Sequence, residues 1–168
     1  APKSIGNGLT FPRSLSGREE ICSGIAMLSD RVAVRLRRAG MKAAGVSLAI
    51  RDPDFRDISR QRRLEPPTCL ARELSQAAVS LAEGCWNMDS PVRALTVTAL
   101  YLISEDQAGV QLDLLGQADA PRRDRLERLD RTLDQIRAKY GRNAISPASS
   151  AGVCQGGVQE EDEEGATS

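Results

Sequence analysis

The order of hydrophobic patterns along the first hundred residues constrains the fold most strongly. From Ile21 to Leu36, apolar side chains recur at helical spacing, and Gly40 follows as the expected end of that helix. Residues 45–51 alternate apolar and polar side chains, as a half-buried strand does. Residues 56–65 read as a polar, Arg-rich strand, residues 68–85 as a second helix, and residues 92–103 as a last strand rich in Val, Leu and Thr.

With an extended N-terminal segment at residues 4–15, the order becomes strand, helix, strand, strand, helix, strand. This order (β-α-β-β-α-β) predicts the α+β class, a two-layer sandwich with a four-stranded sheet and two helices on one face. We expect Ser16 and Glu19 to form a capping box at the first helix, and Thr68 to cap the second. Pro66-Pro67 should end the second hairpin strand. The other sheet face must then meet solvent or a partner.

The C-terminal third predicts three further regions after a first domain at residues 1–103. Residues 104–119 form a linker, residues 120–145 a C-terminal helix, and residues 146–168 a disordered acidic tail. The predicted apolar stripe of the C-terminal helix consists of Leu126, Leu129, Leu133, Ile136 and Tyr140.

Composition narrows the classes of function. The chain has no His, which excludes Ser–His–Asp triads, Cys–His dyads and His-based metal sites. Its apolar runs are too short to cross a bilayer, and its four scattered Cys favour a reducing, cytoplasmic location. The start at Ala1 without an initiator Met suggests a piece of something longer. Residues 1–66 carry 13 Lys or Arg against 7 Asp or Glu, which suggests an anionic partner, although ordinary surface charge is the alternative.

An open sheet face with short polar side chains and arginines suits a phosphate backbone. The candidates, on three predicted strands, are Ser4, Asn7, Thr10, Ser59, Arg60, Arg62, Arg93, Thr96 and Thr98. A solvated face is the simpler alternative. An RNA-recognition-motif sheet is disfavoured because none of the five aromatic residues forms the stacking pair that such a module uses. The carboxylates of Asp52, Asp54 and Asp57 fit a turn better than a metal site, so we expect no metal in this chain.

Several blocks resemble, in order, the little finger of bacterial DNA polymerase IV-like Y-family (translesion) enzymes, over roughly residues 3–145. They are Lys3-Ser-Ile-Gly-Asn-Gly-Leu-Thr-Phe-Pro, Leu28-Ser-Asp-Arg-Val-Ala-Val-Arg-Leu-Arg, Val46-Ser-Leu-Ala-Ile-Arg-Asp, Phe55-Arg-Asp-Ile-Ser-Arg-Gln-Arg and Pro91-Val-Arg-Ala-Leu-Thr-Val. The resemblance implies a domain that contacts template and primer backbones, with Ser4, Thr10, Ser59, Arg60 and Arg93 at the family's contact strands. The family often has a further basic residue near Ala94 or Thr98, which this chain lacks.

The segment Gln111-Leu112-Asp113-Leu114-Leu115 resembles the bacterial sliding-clamp binding motif, Gln-Leu-Ser/Asp-Leu-Phe. Leucines would enter an apolar pocket of the clamp while Gln111 fixes orientation. Leu115 stands in place of the usual Phe, so we expect weaker binding. An accidental run of leucines is the alternative.

Together these features predict a non-catalytic module of a translesion polymerase that binds damaged DNA without sequence preference and is tethered to the clamp. The family's catalytic carboxylates and Mg²⁺ belong to an upstream palm, so this chain alone should not polymerise DNA. The alternative is a protein-interaction module that acts through the Leu motif and the C-terminal helix without binding DNA.

Overall fold

The computed structural model describes residues 3–108, 120–140 and 159–161. Its elements are β1 (Ser4–Leu15), α1 (Arg18–Arg38), β2 (Met41–Arg51), β3 (Asp57–Thr68), α2 (Ala71–Cys85), β4 (Val92–Ser104), α3 (Ala120–Tyr140) and β5 (Gln159–Glu161). The predicted α+β fold with the order β-α-β-β-α-β and a C-terminal helix is confirmed. None of the described helices is long and apolar enough to cross a membrane.

The sheet is antiparallel throughout and has the order β3-β2-β4-β1-β5. Strand β5 pairs with β1, placing Gln159 opposite Thr10 and Glu161 opposite Gly8. Residues 159–161 lie within the predicted tail at 146–168, and they add a fifth strand to the four that the sequence predicts. Next to this pairing, Arg35 of α1 binds the edge of β1, because its Nη1 donates a hydrogen bond to the Gly6 carbonyl at 2.9 Å. The edge therefore presents fewer unpaired backbone groups.

The core lies between one sheet face and the helices α1 and α2. The predicted stripe of α1 is fully buried, and the inward-facing residues of β1, β2 and β4 pack below it. Gly24 lets α1 approach the sheet closely, because a Cβ there would stand 3.1 Å from Leu15 Cδ1 and from Leu95 Cδ1. Both helices lie on this side of the sheet, and among the described residues no helix packs on its second face.

The predictions for the two ends of α1 were only partly correct. Gly40 has a φ of 65° after α1, as its C′ role predicts. The capping box is wrong: Gly17 is the N-cap, and the Ser16 amide donates to Glu20 rather than pairing with Glu19. The Glu20 carboxylate also accepts from Arg13, and these hydrogen bonds lower its pKa.

The boundary between β3 and α2 also differs from the prediction. The strand continues through both prolines to Thr68, with a cis bond between Glu65 and Pro66, because an edge strand tolerates residues that donate no hydrogen bond. Thr68 is not the cap of α2; its hydroxyl accepts from the amide of Leu70, which is the N-cap.

The C-terminal helix contacts the rest of the domain through charged side chains that lie beside its predicted apolar stripe. Leu129 of that stripe is 54% exposed. Arg37 of α1 bonds to Asp134 (Nε–Oδ2 2.6 Å) and Asp130 (Nη1–Oδ2 3.1 Å), and Lys42 of β2 bonds to Glu127 at 2.8 Å. The Arg37 side chain is only 3% exposed, because α3 covers it. Leu126, Leu133 and Ile136 of the predicted stripe are half-buried, and the prediction missed that Glu127, Asp130 and Asp134, at helical spacing, also face inward.

Candidate nucleic-acid interface

The uncovered sheet face is made of the residues that alternate with the core positions. Strand pairing sets them in rows across β3, β2, β4 and β1. The central rows contain Ser59, Ala49, Thr96 and Gly8, then Gln61, Ser47, Thr98 and Gly6; the outer rows contain Asp57, Arg51, Ala94 and Thr10, then Arg63, Gly45, Leu100 and Ser4. We call these sixteen residues the open face.

The middle of the open face is flat. From Ala49 and Ser47 across to Gly8 and Gly6, none of these residues is larger than threonine. A Cβ at Gly8 would lie 2.6 Å from Thr96 Oγ1, so the Thr96 hydroxyl occupies the space where a side chain at position 8 would be. A sugar–phosphate strand could therefore approach the sheet closely and meet the hydroxyls of Ser47 and Thr96.

The structure brings five of the nine predicted contact residues to the open face: Ser4, Thr10, Ser59, Thr96 and Thr98. Asn7 does not belong there. It lies opposite Val97, a core residue, and is only 3% exposed on the helix-covered side. The polarity of Asn7 had suggested an outward position, but the alternation of β1 places it inward with Ile5 and Leu9.

The two hairpin arginines lie on the other side of the sheet. Arg60 stands opposite Leu48 and Arg62 opposite Val46, both core positions, so the arginines lie on the helix side of β3. They stay exposed because β3 is an edge strand, and Arg62 lines a shallow pocket of about 250 Å³ that includes residues of α2. The open face is thus less basic than the sequence suggested.

Arg93 occupies an intermediate position. It is half-buried where the pairing of β1 with β4 becomes irregular, and its Nη1 donates to the Pro12 carbonyl at 3.3 Å. This contact holds Arg93 at the end of the sheet, beyond the regular rows of the open face.

Two cations of the open face, Arg51 and Arg63, were not among the predicted contact residues. Arg51 forms a bidentate pair with Asp57 (Nε–Oδ1 2.7 Å, Nη2–Oδ2 3.1 Å), and the hydrogen bonds from Arg51 lower the Asp57 pKa. Arg63 lies over the ring of Tyr101, with its Cζ 3.7 Å from the ring centroid. The alternation of Val46, Leu48 and Ile50 already implied that Arg51 faces outward. The Tyr101 contact depends on its positive φ of 52°, which no sequence signal indicates.

The aspartate-rich turn behaves as the sequence predicted. The Asp52 carboxylate accepts from the amides of Asp54 and Arg56, both at 2.9 Å, which closes the turn between β2 and β3. Within the described ranges, no group of three or more Cys, Asp or Glu residues could hold a metal ion. The clamp-like motif Gln111–Leu115 lies outside the described residues.

Fold and open face together define a class of protein: a two-layer α+β domain with a polar sheet face, flat in its middle, that none of the described helices covers. Comparison with known proteins identifies the family. Residues 2–114 match the family described as impB/mucB/samB family C-terminal domain. DNA polymerase IV of Acetivibrio thermocellus is 36% identical over 139 residues, which cover 83% of this chain and 34% of the relative. DNA polymerase IV of Moorella thermoacetica is 35% identical over 158 residues, which cover 92% of this chain and 38% of the relative.

A solved structure shares the fold. It is described as a complex of the beta-clamp processivity factor and the little finger domain of DNA polymerase IV, with a TM-score of 0.50 and 16% identity, covering 60% of this chain and 89% of that chain. The chain therefore belongs to the C-terminal, little-finger domains of the Y-family DNA polymerase IV enzymes. It spans about a third of the length of the curated polymerases that it matches.

Proposed function

We propose that this chain is a non-catalytic DNA-binding module of a translesion polymerase, which holds the template–primer backbone at damaged sites against its open face. The observation that carries this proposal is the flat stretch of glycine, alanine, serine and threonine between β2 and β1. Small side chains let a phosphate backbone approach the sheet, and hydroxyls and amides are donors that read no base sequence. Binding is therefore expected to be independent of sequence.

The charge distribution supports weak, salt-dependent binding. Arg63 supplies positive charge on the open face, and Arg93 lies at the end of the sheet. Each phosphate that a protein cation neutralises releases counterions, so affinity should fall steeply as salt rises. Since Arg51 is already paired with Asp57, we expect the slope to reflect only a few contacts.

Two variants that each introduce one negative charge test this proposal. Thr98→Glu places a carboxylate in the middle of the open face, whereas Ser80→Glu adds the same charge on the exposed side of α2. We expect Thr98→Glu to weaken binding of a fluorescently labelled primed duplex more than tenfold, measured by anisotropy, and Ser80→Glu to change it less than twofold. Equal effects of the two variants would refute a role for this face.

We further propose a tether to the bacterial sliding clamp through Gln111, Leu112, Asp113, Leu114 and Leu115. The motif supports this, and a DNA polymerase IV little finger domain has been solved with the beta clamp. Changing Leu112→Ala with Leu114→Ala should abolish capture of the chain on immobilised clamp and leave its DNA affinity unchanged. Clamp capture without any DNA binding by the unmodified chain would instead favour the protein-interaction alternative.

The catalytic step is assigned to a different part of the parent polymerase, where Mg²⁺ would bind, and the module is expected to work in the bacterial cytoplasm. The purified chain should therefore extend no primer. Incorporation of nucleotides by this chain alone would contradict the assignment.

A further inference from the structure

One corner of the open face combines an arginine, an aromatic ring and a glycine. Gly45 of β2 lies opposite Arg63 of β3. A Cβ at position 45 would lie 2.6 Å from Tyr101 Cδ2 and 3.0 Å from its Cε2, so the ring occupies the space above the glycine. The Arg63 Cζ then sits 3.7 Å from the ring centroid, in the range of a cation–π contact. The position of this guanidinium therefore depends on three features: the strand pairing, the absence of a side chain at Gly45 and the positive φ of Tyr101.

The charge of Arg63 remains available to a ligand. The other arginine of the open face, Arg51, is neutralised by a bidentate pair with Asp57. No carboxylate in the part of the chain that the structure describes pairs with Arg63, which is exposed. Stacking on the ring occupies one face of the guanidinium and leaves its N–H edges, the groups that bind phosphate in bidentate fashion.

The stack also limits the freedom of the arginine. An arginine side chain loses conformational entropy when a ligand immobilises it, and a side chain already held against a ring loses less. Because the guanidinium covers one face of Tyr101, that face is not available to stack on a base. These features favour a backbone phosphate over a nucleobase as the ligand.

We propose that Arg63, held against Tyr101 above Gly45, is the main phosphate-binding cation of the open face and takes a phosphodiester of the bound nucleic-acid strand. This inference rests on the proposed DNA binding and deepens it. It places one phosphate of the bound strand at the corner where β3, β2 and the end of β4 meet, next to the central row of Gln61, Ser47, Thr98 and Gly6 and away from the helix-side arginines Arg60 and Arg62.

The test compares Arg63→Gln with Arg72→Gln, which removes an equal charge from the exposed surface of α2. Binding of a primed duplex is measured by anisotropy across a salt series. Arg63→Gln should weaken binding about tenfold at low salt, as expected for a lost charged hydrogen bond, and should reduce the slope of log affinity against log salt by about one. Arg72→Gln should leave both quantities near those of the unmodified chain.

A second pair of variants tests the role of the ring. Tyr101→Phe keeps the stack and should retain affinity, whereas Tyr101→Leu removes it and should weaken binding severalfold while the salt slope stays the same, since the charge remains. Thermal unfolding of each variant confirms that it is folded. If Tyr101→Leu does not fold, the Arg63→Gln and Tyr101→Phe results decide the question.

The outcomes separate this inference from the proposed function. No binding by the unmodified chain at low salt would overturn both. Normal binding with Arg63→Gln indistinguishable from Arg72→Gln would overturn the inference alone. A loss of affinity for some duplex sequences only, with an unchanged salt slope, would also overturn it, because it would indicate a base contact.

Discussion

The docking of α3 gives a prediction whose size follows from unequal burial. Arg37 is 3% exposed in its side chain, whereas its partners Asp130 and Asp134 are 21% and 17% exposed. Changing both aspartates to Asn leaves a buried guanidinium that keeps the Cys69 carbonyl as an acceptor, at 2.9 Å from Nη1. Breaking a buried ion pair in this way costs about 3–5 kcal/mol, and we expect about 3 kcal/mol because α3 can leave and let Arg37 meet water.

The reciprocal change should cost less. Arg37→Met fills much of the same volume and leaves two carboxylates that are partly exposed and can reach water more easily than the guanidinium can, so we expect a smaller loss, about 2 kcal/mol. The prediction therefore depends on the difference between the two variants in the free energy that each one loses. A chain held by an apolar stripe on α3 would show little effect of either change.

Native-state hydrogen exchange measures this difference directly, since it reports the free energy of opening for the amides of α3 separately from those of α1. The double Asn variant should lower that free energy for α3 by more than Arg37→Met does. Asp89→Asn with Asp106→Asn, two exposed positions, is the control for charge. Equally slow exchange of α3 in all four proteins, or a larger loss for Arg37→Met, would refute the reasoning.

Three further predictions concern the core. Leu28→Ala removes a fully buried side chain from α1 and should lower the free energy of unfolding by about 3 kcal/mol in a urea titration; a loss below half of that would mean the site collapses around the gap. Gly24→Ala should destabilise by about 1–3 kcal/mol despite the better helix propensity of alanine, because the new methyl group meets Leu15 and Leu95; a stabilised variant would contradict the close approach. Burial raises the pKa of the Cys69 thiol to about 11, so this thiol should react with a maleimide at pH 8 far more slowly in the native protein than in the unfolded chain. Because the unfolded chain loses this proton at a lower pH, the free energy of unfolding should fall as pH rises from about 9 towards 11. Rapid labelling of the native protein would contradict this prediction.

The two-layer core followed from the sequence because its signals are local and repeated. The stripe of α1 and the alternation of β2 each fix which side of an element is buried. The same logic could have placed Arg60 and Arg62 correctly, since Ile58 and Leu64 share their parity on β3 and both face the helix side. Arginine is common on nucleic-acid-binding faces, but the alternation of the strand decides the side on which it lies.

Other features depend on contacts between distant parts of the chain. The charged inward face of α3 contacts Arg37 and Lys42, which lie roughly ninety residues earlier in the chain. The sequence pattern of a helix alone does not show that its acidic residues have distant partners of opposite charge. The Arg63–Tyr101 stack likewise requires the register of three strands and one unusual φ. Three residues of the tail pair with β1, although their composition is typical of disorder.

We propose that nucleic acid binds the open face of the sheet and not the helical layer. Titrating an isotopically labelled chain with a primed duplex and following backbone amide shifts by NMR tests it directly. The largest shifts are expected on the row that joins Ser47, Thr98 and Gly6 and on the row that joins Ala49, Thr96 and Gly8, with small shifts on α1 and α2. Shifts concentrated on the helices, with those rows unchanged, would contradict it.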